Sequence, residues 1–175
     1  MKFQASREFR LNLYIMVFTV SSFLGWLYET VLTSVRWETF AERGFLQLPI
    51  CPIYGFGAVI LLFLFHRLKS SILLFLASTL VTTGIELAAS YLLEYGWHIQ
   101  LWTYRHWPLN FQGRISFWSS VLFGVLSVLL IKLIYPLVSW WMKKLDGRSR
   151  VFMSVLMVGS ILMDTMLCIY ASVCL

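Results

Sequence analysis

The stretch SILLFLASTLVTTGIELAASYLLEY, residues 71–95, decides the fold class of this chain. It carries only two charged side chains, and as an α-helix it would be about 37 Å long. A helix of about 20 apolar residues crosses the hydrocarbon core of a bilayer, which is about 30 Å thick. The stretch therefore predicts a transmembrane helix.

The composition of the whole chain agrees with a membrane protein. Of its 175 residues, 59% are hydrophobic and only 13% are charged, whereas a soluble domain has about 25% charged residues. The length suits one domain, so we expect residues 1–175 to form a single transmembrane domain. The net charge is +6, but no basic run forms a soluble face, so nucleic acid is not an expected partner and the lipid bilayer is.

Four further apolar stretches have the character of membrane spans. The first follows a basic N-terminus and is too long for a signal peptide, so we expect an uncleaved span. The second is short and begins among prolines and glycines, so it is either a full span with a broken start or partly re-entrant. Together with residues 71–95, these stretches predict an all-α, polytopic transmembrane helix bundle of five spans. The other four spans are predicted at residues 11–35, 50–65, 115–141 and 151–173.

The basic residues indicate how the five spans are oriented. Nine lie in the tail and loops of one side, four lie on the other side, and Lys132 lies within a predicted span. Because positively charged loops stay in the cytoplasm, the N-terminus is predicted to be cytoplasmic and the C-terminus outside. The nine are Lys2, Arg7, Arg10, Arg67, Lys69, Lys143, Lys144, Arg148 and Arg150, and the four are Arg36, Arg43, Arg105 and Arg114.

Four acidic residues, Glu29, Glu86, Glu94 and Asp164, fall within or at the ends of predicted spans. A charge at mid-bilayer costs at least about 2.5–3.5 kcal/mol, so such residues usually face the protein interior and find partners. They could bind a ligand, join helices by hydrogen bonds, or pair with loop arginines. Glu29 and Glu86 share a depth and lie on polar stripes, which favours a common interior space and a functional role. Asp164 and Glu94 are more typical of structural residues.

The segment LWTYRHWPLNFQGRISFWSS, residues 101–120, is aromatic and cationic. It is either an interfacial belt of aromatic side chains or a cap that folds over a polar cavity and pairs its cations with the buried acids. We expect Arg114 to form such a pair, because it begins the fourth span and can reach sideways. That span also carries Ser116, Ser120 and Gly124, a spacing of small residues that favours close helix packing.

Cysteine and histidine give no sign of a metal site or a cofactor. The three cysteines and three histidines are scattered without ligand spacing, and no disulfide framework is evident. We therefore expect no metal, no cofactor and no legible catalytic residue.

Four segments occur together in an order that resembles a known family. They are GWLYET at 25–30, ERGFLQLPICPIYGFGA at 42–58, IELAASYLLE at 85–94 and WTYRHWPLNFQGRIS at 102–116. The chain resembles the CmpB-like putative ABC-transporter type IV permease family over about residues 23–136. The resemblance implies a multi-pass protein of the bacterial inner membrane.

The resemblance also implies a set of substrate-binding residues. One departure concerns the family pattern Trp-Asp-Tyr-Ser, which is here Trp102, Thr103, Tyr104 and Arg105. An acid is lost and a cation is gained, which favours an anion at this position. For this reason too, Arg114 is favoured over Arg105 as the partner of an acid. The implied substrate-binding residues are Glu29, Arg43, Tyr54, Glu86, Glu94, Trp102, Tyr104, Asn110 and Arg114.

Three functions fit these observations. The first is a membrane transporter or permease subunit for an unknown small molecule or ion, with a polar site in the outer half of the bundle, capped by the loop 96–114. The second is a non-catalytic membrane sensor or regulatory protein. The third is a membrane enzyme that acts on a lipid-linked substrate at the outer face. The lack of a recognisable nucleophile–base pair argues against this third function. No GxxxxGK[ST] sequence occurs, so an ATP-driven transporter would need a separate ATPase subunit.

Overall fold

The computed structural model of the chain describes residues 6–38, 46–100 and 102–174. These residues form helices joined by short connections, with one two-stranded hairpin, so the predicted all-α class is confirmed. The elements are α1 (Arg7–Trp37), α2 (Pro52–Phe65), α3 (Ser71–Trp97), β1 (Asn110–Phe111), β2 (Ile115–Ser116), α4 (Phe117–Leu129), a π-helical turn (Leu130–Ile134), α5 (Tyr135–Lys144) and α6 (Gly147–Cys174).

Four of the described helical segments are long and apolar enough to cross a membrane. They cover Arg7–Val35, Ser71–Gly96, Phe117–Lys144 and Gly147–Ala171. The fifth apolar helix, α2, has only 14 residues, and its length of about 21 Å is less than the hydrocarbon core. The structure thus gives four membrane-length helices and a short fifth one, and the count of five spans stays a prediction.

Polar caps and prolines explain where several of these helices begin and bend. The hydroxyls of Ser6 and Ser70 accept hydrogen bonds from the backbone N–H groups of the first turns of α1 and α3, as good N-caps do. The first residue of α2 is Pro52, a position where proline is tolerated because the N–H that it lacks would have no partner within the helix. Within the fourth predicted span, a π-helical turn precedes Pro136, and this proline stands in the first turn of α5.

The chain divides into two compact units, which are described separately. The first contains Met1–Ile60 and Ile134–Leu175, and the second contains Leu61–Leu133. In the first unit, α1 packs against α5 and α6. In the second unit, α3 packs along α4. The single domain predicted for residues 1–175 stays a prediction.

The contact between α3 and α4 uses the small residues singled out in the sequence. Thr83 donates a hydrogen bond to the Ser120 hydroxyl across the two helices, at 2.8 Å. A Cβ added at Gly124 would lie 2.7 Å from the Phe75 ring and closer still to the Thr79 hydroxyl. The absence of a side chain at Gly124 therefore allows the two helices to approach closely.

Gly124→Ala will destabilise the second unit, because its methyl group has no room between α3 and α4. Overpacking of this kind costs about 1–3 kcal/mol. The matched control is Gly84→Ala in α3, where an added Cβ has no described neighbour within 4 Å. Thermal unfolding in detergent should show a lower midpoint for Gly124→Ala alone. Equal midpoints for the two variants would contradict the close packing.

Candidate functional site

The aromatic loop, defined here as residues 102–116, has a fold of its own. Asn110 holds its turn, since its side-chain amide donates to the Trp107 carbonyl at 2.7 Å and its oxygen accepts from the Gly113 N–H at 2.9 Å. Gly113 has a φ of +69°, a conformation that glycine adopts without strain. Beyond the turn, Gly113 accepts a backbone hydrogen bond from Tyr104 at 2.8 Å. The turn brings the two halves of the loop together.

Arg114 ties the aromatic loop to α3. Its guanidinium forms an ion pair with the Glu94 carboxylate, donates to the Ser90 hydroxyl at 3.0 Å, and lies 4.1 Å from the centre of the Tyr91 ring. The Arg114 side chain is 11% exposed and that of Glu94 is 45% exposed. The prediction that Arg114 pairs with an acid at the end of this helix is confirmed.

Arg105 behaves differently from Arg114. Its side chain is exposed, and in the part of the chain that the structure describes no ion pair involves it. Its stem lies against Gly113, where an added Cβ would meet Arg105 Cγ. Of the two arginines of the loop, Arg114 is the one that holds it to α3.

Glu86 lies two turns of α3 before Glu94. It accepts a hydrogen bond from a second side chain of the loop. The Tyr104 hydroxyl donates to Glu86 Oε1 at 2.7 Å. The other oxygen, Oε2, is buried and has no hydrogen-bond partner among the described residues, and the same is true of Arg114 Nε. A buried polar atom without a partner is costly. The cluster thus leaves one acceptor and one donor for a proton or a ligand.

Other contacts make this docking more extensive. The Trp102 indole donates to the Arg114 carbonyl at 3.0 Å, and the Tyr91 hydroxyl donates to Gln112 Oε1 at 2.6 Å. Ser90 and Tyr91 were not among the predicted site residues. Tyr91 lies three residues before Glu94, on the same helical face, which is the pattern that would have indicated it.

A second polar contact lies in the first unit, between α1 and α2. The Tyr54 hydroxyl donates to Glu29 Oε1 at 3.0 Å. Gly25 permits this approach, because an added Cβ would overlap the Tyr54 ring. Nearby on α1, the buried hydroxyls of Ser22 and Thr30 have no hydrogen-bond partner among the described residues.

Asp164 holds the segment that leads into α2. Asp164 is 7% exposed, and its Oδ2 accepts from the Leu48 N–H at 3.0 Å. This contact joins residues that are 116 positions apart in the chain. The carboxylate acts as an acceptor for the backbone, which suits the structural role expected of it.

The structure leaves part of the predicted site open. Arg43 lies outside the described residues. Glu29 and Glu86 belong to different units, so the common space predicted for them stays a prediction. Within the described ranges, no three His, Cys, Asp or Glu side chains group in a way that could hold a metal ion.

The four membrane-length helices and the polar contacts between apolar segments define a multi-pass membrane protein. Residues 16–169 match the family described as "Putative ABC-transporter type IV". The chain belongs to this family, which confirms the resemblance of its motifs, and it is a transporter-like membrane protein. It matches no curated protein and no solved structure.

Proposed function

We propose that this chain is the membrane-embedded subunit of a transporter and that Glu86 contributes to the binding site for its substrate. The observation that carries this proposal is the buried Glu86 Oε2, which has no partner among the described residues. An ionisable residue within a membrane-spanning helix is costly in free energy, and such residues usually mark a functional site. A substrate that donates a hydrogen bond or carries positive charge would satisfy the free oxygen.

The neighbouring Arg114 narrows the class of substrate. Its Nε is a buried donor without a described partner, and its guanidinium contacts Ser90 and Glu94, which lie one and two turns of α3 after Glu86. We therefore propose a small polar substrate that carries both a donor group for Glu86 and an acceptor group for Arg114. In this arrangement Tyr104 orients Glu86 through its hydroxyl, while Glu94 and Trp102 hold Arg114 in place.

The remaining predicted residues have supporting or separate roles. Asn110 shapes the turn of the aromatic loop. We propose that the loop 96–114, which contains this turn, is the cap over the site. Tyr54 and Glu29 form a second candidate contact for substrate in the first unit. If the transport is driven by ATP, as the family's description suggests, the ATPase would be a separate subunit, because no GxxxxGK[ST] sequence occurs in residues 1–175.

An uptake experiment that screens many solutes at once tests this proposal. Right-side-out membrane vesicles from the native host, which contain any partner subunit, are energised and incubated with an isotopically labelled metabolite extract. Mass spectrometry of the vesicle contents should reveal at least one solute that accumulates only when the chain is present. If vesicles with and without the chain take up the same solutes at the same rates, the transporter proposal fails and a sensor or regulatory role is favoured.

The proposed membrane topology has five spans, a cytoplasmic N-terminus and an external C-terminus. The nine-to-four division of basic residues supports it, because a re-entrant α2 would place Arg67 and Lys69 outside. In a cysteine-free background, Gln100→Cys should react with an impermeant maleimide added to intact cells, and Ser70→Cys should not. Labelling of Ser70→Cys alone would contradict this topology, because it would result either from an inverted bundle or from an α2 that returns to the outer side.

A further inference from the structure

A shallow, open groove of about 500 Å³ lies beside the first turns of α6, within the first unit. Its wall is apolar and is made by Val151, Phe152 and Val155, of which the Phe152 side chain is 67% exposed. The rest of the lining lies at the end where α1 and α6 begin and consists of two charged residues and a glycine: Glu8, Arg148 and Gly147. The groove therefore joins an apolar surface along a membrane-length helix to a charged end.

The charged end has one acid and one base in its lining, Glu8 and Arg148, but basic surroundings. Arg148 lines the groove, and the Arg150 guanidinium lies beside Gly147, 3.7 Å from where a Cβ would be. Arg150 Nε is buried and has no hydrogen-bond partner among the described residues. Basic residues outnumber acidic ones in the adjoining turns of α1, α5 and α6. They are Arg7, Arg10, Lys143, Lys144, Arg148 and Arg150, against Glu8 and Asp146.

The acid closest in sequence to these arginines is already engaged. Asp146 accepts hydrogen bonds from the Ser149 hydroxyl at 2.5 Å and from the Ser149 N–H at 3.2 Å. These hydrogen bonds lower the pKa of the Asp146 carboxyl below its usual value. Asp146 thus serves α6 as an N-terminal cap. The Arg150 guanidinium lies 5.1 Å from the centre of the Phe9 ring, and Glu8 also lines the groove, so an anion would have to bind beside this acid.

We propose that this groove binds one anionic phospholipid, with its phosphate between Arg148 and Arg150 and one acyl chain along Val151, Phe152 and Val155. Basic pockets between membrane helices bind such headgroups. Lys144 lies 3.4 Å from the centre of the Trp140 ring, and tryptophan at the end of a membrane helix is typical of the headgroup region. The apolar wall distinguishes a lipid from a free phosphate, which would leave that wall uncovered.

Thermal unfolding of the delipidated full chain in detergent provides the test. Phosphatidylglycerol should raise the midpoint and saturate near one lipid per chain, whereas phosphatidylethanolamine and soluble glycerol phosphate should not. In Arg148→Gln, the phosphatidylglycerol concentration that gives half of the maximal stabilisation should be about fivefold higher. This is the effect expected from the loss of one arginine at a membrane surface. Phe152→Ala, which shortens the apolar wall, should weaken it as well.

Arg67→Gln is the matched control, because this exposed arginine lies in the other unit. It should leave the response to phosphatidylglycerol unchanged. Equal stabilisation by both lipids, or an Arg148→Gln response like that of the wild type, would overturn the proposal. Stabilisation by glycerol phosphate alone would also overturn it, since the groove would then bind a soluble phosphate.

Discussion

Arg114→Gln will release the aromatic loop from α3. The variant loses the ion pair with Glu94, the stacking on Tyr91 and the charge-assisted hydrogen bond to Ser90. The ion pair itself contributes little, because Glu94 is half exposed. The part-buried hydrogen bond and the stacking together stabilise the docked loop by about 2 kcal/mol, a factor of about 30 in its opening equilibrium.

Hydrogen exchange in nanodiscs reports this opening. The reporters are the backbone N–H groups of Tyr104 and Arg114, whose hydrogen bonds lie within the loop and should open more often once the loop loses its contacts with α3. Arg105→Gln is the matched control, because it removes a cation from the same loop yet keeps the Cγ that lies against Gly113. Exchange should accelerate in Arg114→Gln and stay unchanged in Arg105→Gln. The same exchange rates in both variants would show that Arg114 does not hold the loop.

Glu86→Gln will abolish most of the uptake while leaving the fold intact. The amide keeps an oxygen that can accept from Tyr104, so the loop stays docked. It replaces the free carboxylate oxygen by a neutral group that cannot pair with a cationic or donating substrate in the same way. A hydrogen bond to a charged group contributes about 1.5–3 kcal/mol, which corresponds to about a 10- to 100-fold loss.

The measurement is uptake of the accumulated solute by native-host vesicles that carry each variant in equal amounts. Glu38→Gln is the control for loss of one carboxylate, since Glu38 is exposed just beyond α1. Glu29→Gln tests the predicted common space, because a similar loss there would place both acids on one substrate path. Wild-type uptake by both Glu29→Gln and Glu86→Gln would instead show that these acids join helices and do not bind substrate.

Features that depend on neighbouring residues could be predicted from the sequence. The apolar stretches gave the membrane-length helices to within a few residues, because span length and hydrophobicity are local properties. The pair of Arg114 with Glu94 was also predictable, since both lie where the loop joins its helices. The small residue Gly124 indicated close packing for the same local reason.

Features that depend on how the loops return to the helices could not be predicted. Tyr104 reaches Glu86 only because the turn at Gly113 doubles the loop back. Asp164 accepts from a backbone group 116 residues away, and nothing near Leu48 in the sequence indicates that contact. The short length of α2 was predicted, but its first residue was not, because Ile50 and Cys51 are apolar and yet precede the first helical residue, Pro52.

Direct binding of the transported solute to the purified chain tests most closely whether Glu86 binds substrate. Isothermal titration in detergent would compare the wild type with Glu86→Gln, and thermal unfolding without solute would be recorded for both. The account predicts binding by the wild type, at least about tenfold weaker binding by Glu86→Gln, and equal unfolding midpoints. Equal affinities together with a lower midpoint for Glu86→Gln would contradict it, and would assign the carboxylate to the stability of the fold.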